Sequence, residues 1–112
     1  MIAAMENPVS PLFDAAHLAR YTGGDVALRD ELLGLMCDQA QRCLAIMDSP
    51  VDASAWRAAC HTLKGAARGV GAFALADLCD AIEPAAEPAW PGARLEVERC
   101  VRETELAFAQ AD

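Results

Sequence analysis

The sequence predicts an all-α protein, an antiparallel up-down four-helix bundle with a short additional N-terminal helix. Three observations predict it. Hydrophobic residues make up 54% of the chain, with alanine abundant and Val, Ile, Tyr, Phe and Trp few, and alanine is the best helix former. Apolar residues recur at spacings of three and four over segments long enough to be helices. Short stretches rich in Gly, Pro and Asp separate these segments, and short connections favour antiparallel neighbours. A chain of 112 residues has the size of one domain. That domain is expected over residues 11–112, behind a flexible tail over residues 1–10.

Asp14 is placed to N-cap a brief helix from Ala15 to about Tyr21, which Gly23-Gly24 ends. Asp25 caps a long second helix reaching about Asp48, with Leu33, Met36, Ala40, Cys43, Leu44 and Met47 inward. Ser49-Pro50 breaks it. Asp52 caps a third helix from Ala53 to about Gly69, burying Trp56, Ala59, Cys60, Leu63, Ala67 and Val70, and Gly71 suits the turn that follows. The fourth runs from Ala72 to about Glu83, with Leu75, Leu78, Cys79 and Ile82 inward. Three prolines make EPAAEPAWPG a stiff connection to a last helix over about Ala93 to Ala109, with Val97, Cys100, Val101, Thr104 and Phe108 inward.

The net charge of −8 argues against nucleic acid and anionic membranes as partners, since both attract basic surfaces. No stretch is long and apolar enough to span a bilayer. MIAAMENPVSP lacks a positive n-region and an apolar h-region, so no secretory signal is expected. A cytoplasmic, monomeric protein is expected. Five cysteines stand singly, with no C-x-x-C pair. They read as small buried hydrophobes in a reducing compartment, not as disulfides or a metal site.

Chemistry concentrates in HTLKGAARGVG, residues 61–71. At about 100° per residue, Trp56, Cys60, Leu63, Ala67 and Val70 fall within an arc about 80° wide, the core stripe. Arg57, His61, Lys64, Gly65 and Arg68 face away from it. An exposed imidazole is largely neutral at pH 7 and keeps a nucleophilic nitrogen. Lys64, three residues on, is placed to set an ammonium beside any group attached to that nitrogen. Gly65 costs a helix about 1 kcal/mol relative to Ala; its gain is steric, because a missing side chain lets another protein approach His61. A basic face on an acidic protein suits a phosphoryl group, whose charge must be offset during transfer. Singly, each feature has a plainer reading: a surface histidine, a solvated charge, a glycine permitting helix packing. Their combination at fixed spacing on one face favours the functional reading.

HTLKGAARGVGA followed by LADLCDAIE resembles the signature of histidine-containing phosphotransfer (HPt) domains, in which H-x-x-K-G leads to G-A and then to L-x-x-x-C-x-x-I/L-E. The resemblance extends over nearly the whole chain. It implies an antiparallel four-helix bundle without catalytic turnover of its own, phosphorylated on His61 through Nε2. It implies that Lys64 offsets phosphoryl charge, that Gly65 gives a receiver domain access, and that Gly71 makes the following turn. Glu83 falls where the family often carries Gln or Glu near the imidazole. There it either accepts the Nδ1 proton and orients the ring, or is a surface carboxylate at a helix end. Arg68 is an auxiliary cation that the family does not require. The implied partners are receiver domains of a hybrid histidine kinase and of response regulators. The chain needs no cofactor of its own, since the metal ion of the reaction is held by the receiver.

Other readings fit less well. A histidine kinase would carry an H-E-x-x-x-P box and a nucleotide-binding domain, whereas His61 is followed by Thr62-Leu63-Lys64. A di-iron bundle needs inward Glu-x-x-His pairs, and only Asp14-x-x-His17 comes near that pattern. A helical adaptor that docks receiver domains or kinases without being phosphorylated would not need His61, Lys64 and Gly65 intact. A partner is expected on the face formed by the second and third helices, because Leu32 and Leu35 exceed what one buried stripe needs. Alternatively, these leucines contact the first and last helices inside the bundle.

Overall fold

The computed structural model describes residues 10–111. The expected N-terminal tail, apart from Ser10, lies outside them. Five α-helices follow in order: α1 over Ala15–Thr22, α2 over Val26–Asp48, α3 over Ala53–Val70, α4 over Phe73–Ile82 and α5 over Trp90–Gln110. A 3-10 turn at Glu87–Ala89 leads into α5. The described residues contain no strand.

Aspartate caps start the first three helices. Asp14 accepts a hydrogen bond from the His17 amide at 3.1 Å, Asp25 from Leu28 at 3.0 Å, and Asp52 from Ala55 at 2.9 Å. Each fills one of the amide donors a helix start leaves unpaired, worth about 1 kcal/mol. The end of α3 is closed by two further bonds, Ala72 N–H to Ala67 O at 2.8 Å and Gly71 N–H to Arg68 O at 3.2 Å, a Schellman closure. It requires a left-handed residue, and Gly71 has φ +91°. A Cβ there would also stand 2.7 Å from the Asp14 carbonyl oxygen. The glycine thus serves both the turn and the docking of α1, whose Asp14 N–H donates to Gly71 O at 2.9 Å.

Packing joins α2 to α3, α3 to α4, α4 to α5, and α5 back to α2, with α1 against α2 and α3. All six inward residues expected on α2 and all six on α3 are buried. Trp56 and Trp90 stack with ring centroids 5.2 Å apart and planes at 12°. Their indole N–H groups donate to Ile82 O at 3.1 Å and Ala85 O at 2.9 Å. The buried Thr104 hydroxyl donates to Cys100 O at 2.7 Å.

Several expectations need correction. The last helix begins at Trp90, three residues early. Pro91 and Gly92 lie in its first turn, where a missing amide costs nothing because the helix has no acceptor for it there; the core seat of Trp90 holds this turn in place. On α4, Leu78 and Ile82 are only half-buried while Ala76 is fully buried, because a ten-residue helix covered by α3 and α5 turns a narrower face inward. Phe108 is likewise half-buried and meets Phe13 edge-on at 4.9 Å. Cys43, Cys60 and Cys79 are buried, but Cys37 and Cys100 are half-buried; all five are free thiols. Among the described residues, no helix is long and apolar enough to cross a membrane.

Candidate functional site

The surface of α3 follows from its core stripe. With Trp56, Cys60, Leu63 and Ala67 buried, His61, Thr62, Gly65 and Arg68 stand exposed and Lys64 is half-buried. No hydrogen bond among the described residues reaches the His61 ring, which faces solvent. A Cβ built on Gly65 would meet no atom within 4 Å. No packing among the described residues therefore calls for glycine at this position. The same open space exists at Gly34 and Gly69. What sets Gly65 apart is its place one turn beyond His61, on the same face.

Lys64 is the only lysine in the chain. Its Nζ donates to Asp80 Oδ1 at 3.0 Å and stands 3.9 Å from Glu83 Oε1. The ammonium, as hydrogen-bond donor and neighbouring charge, holds the Asp80 carboxyl below the usual carboxylate range. Farther along the helix pair, Arg68 Nη2 lies 3.9 Å from Asp77 Oδ1, and the Ser10 hydroxyl also donates to Asp77. Arg57, Lys64, Asp80, Glu83 and Pro84 line one shallow recess. Lys64 and Arg68 thus have carboxylate partners on and just beyond α4.

Glu83 directly follows α4, half-buried, and its recorded partner is Lys64, not the His61 ring. Asp77 and Asp80 were not singled out from the sequence. Their signal was available as D-x-x-D-x-x-E, which puts Asp77, Asp80 and Glu83 on one side of α4. What helix periodicity lacks is the register between α3 and α4 that decides which cation each meets.

On its other side α3 meets α2 along an apolar groove. One part is lined by Leu32, Leu35, Met36, Gln39, Thr62, Ala66 and Val70. The next, bordered by Ile46, Ala55 and Ala58, shares Gln39 and Thr62 with the first, so the groove runs past the residue beside His61. Leu35 is 55% exposed, while Leu32 is half-buried against the core. Both leucines line the groove between α2 and α3, Leu35 as a surface residue and Leu32 packed partly against the core.

Burial raises the thiols of this core. Cys60 is pushed up to about 12, first by desolvation and then by the charge of Glu83. Cys79 is raised further, also chiefly by burial. Such thiols stay protonated and unreactive beside the exposed histidine. Among the described residues, no group of three or more His, Cys, Asp or Glu side chains is arranged to hold a metal ion.

Neither the curated proteins nor the solved structures contain a match to this chain. A family model described as Hpt domain matches residues 31–107, from within α2 to near the end of α5 and well over half of the chain. The match includes the exposed histidine, its lysine and glycine neighbours and the groove beside them, and the chain belongs to the Hpt domain family, which acts in histidine phosphotransfer within phosphorelays.

Proposed function

We propose that this chain accepts a phosphoryl group on His61 from a receiver-domain aspartate and passes it to a second receiver in a two-component phosphorelay, without kinase or ATPase activity of its own. The carrying observation is the exposed His61 with open space over Gly65 one turn away. A partner's active site reaches the imidazole there over a position where no side chain of the described residues stands.

In this reading Nε2 of His61 attacks phosphorus in line with the departing aspartate oxygen. The Nε2–P bond forms as the P–O bond breaks, the aspartate carboxylate keeps the electron pair, and the ring retains its Nδ1 proton. Lys64 offsets the phosphoryl charge, Arg68 adds a second cation and Gly65 gives access, while Glu83, 3.9 Å from the ammonium of Lys64, would have to turn from the lysine to steady the protonated side of the ring. The receiver supplies the metal ion, so that the transfer needs only positioning and charge from this chain. The α2–α3 groove is assigned to receiver docking, with Leu35 as its most exposed leucine. The partners are receiver domains of a hybrid histidine kinase and of response regulators, met by a monomer in the cytoplasm.

We also read the packing as the family's antiparallel up-down four-helix bundle, formed by α2 to α5 within a single domain over residues 11–112. Cross-helix contacts support it. Trp56, Lys64 and Arg68 meet Ile82, Asp80 and Asp77 in descending order. Arg94 meets Leu44 and Asp48, while Cys37 lies beside Glu105.

The test is transfer from phosphorylated receiver domains of the same organism. Label is expected on the wild type and absent from a folded His61→Gln variant. Label that persists on that variant, or that disappears in His17→Gln alone, would overturn the assignment.

A further inference from the structure

We propose that Asp80 is a positioning residue for transfer at His61: it holds Lys64 as an exchangeable counter-ion, so the lysine must change partners when a phosphoryl group reaches the ring. This rests on the reading of His61 as the phosphoacceptor.

The motivating observation is where the lone lysine spends its charge. Lys64 Nζ is not free beside His61; it is hydrogen-bonded to Asp80 at 3.0 Å, with Glu83 at 3.9 Å. Its side chain is 19% exposed, whereas that of Asp80 is 63% exposed. An ion pair with one partner so well solvated is weak and readily broken. A phosphoryl group brings about two negative charges and three acceptor oxygens, against one charge on Asp80. The ammonium is therefore drawn to the phosphoryl group once it is attached, leaving Asp80 to water. Arg57 lines the same recess, and Arg68 has its own carboxylate in Asp77 at 3.9 Å. The site is thus nearly neutralised before any phosphoryl group arrives.

Such an arrangement has a thermodynamic consequence. Whatever stabilises the unphosphorylated state alone lowers the affinity of His61 for the phosphoryl group by the same factor. Asp80 stabilises that state through Lys64, and its carboxylate repels the charge of the other. Phosphohistidine next to this carboxylate gives up its phosphoryl group to an aspartate more readily than phosphohistidine next to an unclaimed lysine would. Asp80 thereby favours onward transfer over storage. It caps no helix and is exposed at the edge of the buried stripe that Leu75, Ala76 and Cys79 form on α4, so its charge is separable from the fold.

The experiment takes a phosphorylated receiver domain that labels the wild-type chain and measures the equilibrium fraction of label on His61, with forward and reverse rates. Asp80→Asn is expected to shift that equilibrium toward phosphohistidine by about two- to fivefold, the range of an exposed ion pair. Asp80→Glu should return it toward the wild-type value. In a Lys64→Met background the shift should fall to less than half. An unchanged equilibrium, or a shift toward the receiver, would overturn the proposal. So would an equal shift without Lys64, which would mean direct repulsion alone. Circular dichroism confirms the fold of each variant, with Asp80→Ser as the alternative if Asp80→Asn fails it. Absence of label from wild-type His61 sinks the phosphoacceptor reading itself, whereas normal labelling that ignores Asp80 sinks only this inference.

Discussion

Where α3 meets α4, charged side chains cross the surface of the helix pair, Lys64 to Asp80 and Arg68 to Asp77; where it meets α2, an apolar groove with an exposed Leu35 stands open. His61 sits between the two. Charge and apolar surface next to one reacting atom have opposite needs: charge must be able to reorganise, while a docking surface gains from being rigid and dry. Placing them on opposite flanks of one helix lets each be altered separately. On the proposed reading of His61 and the groove, a partner gains its affinity away from the atoms that react.

The largest effect tests what lies between the flanks. His61→Gln should abolish labelling while leaving both the groove and the ion pairs in place, so that receiver binding by calorimetry persists within about twofold. Loss of binding together with label would mean that the histidine also builds the docking surface. Gly65→Gln comes next. It places a side chain over the approach to His61 and should reduce transfer by about a hundredfold, as expected when docking geometry is lost. Because glycine is a poor helix former, its urea midpoint should rise, by up to about 1 kcal/mol in stability. Transfer at the wild-type rate would show that the partner approaches from elsewhere.

Two smaller changes should separate the flanks. Leu35→Glu should weaken receiver binding about tenfold, the worth of half a leucine side chain buried on docking, with transfer at saturating receiver unchanged. Lys64→Ala should do the reverse, slowing transfer about tenfold at saturation with little change in Kd. If both variants alter the same constant, the division into a binding flank and a charge flank fails.

A last effect, on stability and not on transfer, concerns the core behind both flanks. Burial lifts Cys60 to about 12 and, with the nearby Glu105, Cys37 to about 11, from 9.0 for an unperturbed thiol. A raised folded-state value means that the fold prefers the protonated thiol. That contribution is fully present below pH 9 and is lost as pH rises from 9 through 11 to 12, at no more than about 1.4 kcal/mol per thiol per pH unit. Urea midpoints should therefore fall between pH 8.5 and 10.5. A flat profile over that interval would contradict the burial of these thiols.

Much of the fold was legible in the sequence because its signals are local. An aspartate ahead of a periodic run marks a cap whatever the rest of the chain does, and Asp14, Asp25 and Asp52 all cap as read. The buried stripes of α2 and α3 were legible for the same reason, and with them the exposure of His61 and Gly65. The start of α5 was not, because Pro91 and Gly92 are helix breakers in general and harmless only in a first turn, and what puts them there is Trp90 stacking on a residue of α3. Asp80 was missed for a related reason: its meeting with Lys64 depends on how far α4 slides along α3. Glu83 was noticed for the resemblance, yet its contact with Lys64 depends on that same sliding.

The tryptophan stack has a practical consequence. The chain has two tryptophans, and both are buried in the one stacked pair, Trp56 0% and Trp90 7% exposed. Intrinsic fluorescence is therefore a signal from a single place, the contact between α3 and α5, on the inner side of the helix that carries His61 on its surface. A receiver that only rests on the α2–α3 groove should leave the emission maximum where it is. A shift of that maximum on binding or on phosphorylation would mean that α3 itself has moved against the bundle, and it would be recorded without attaching any dye.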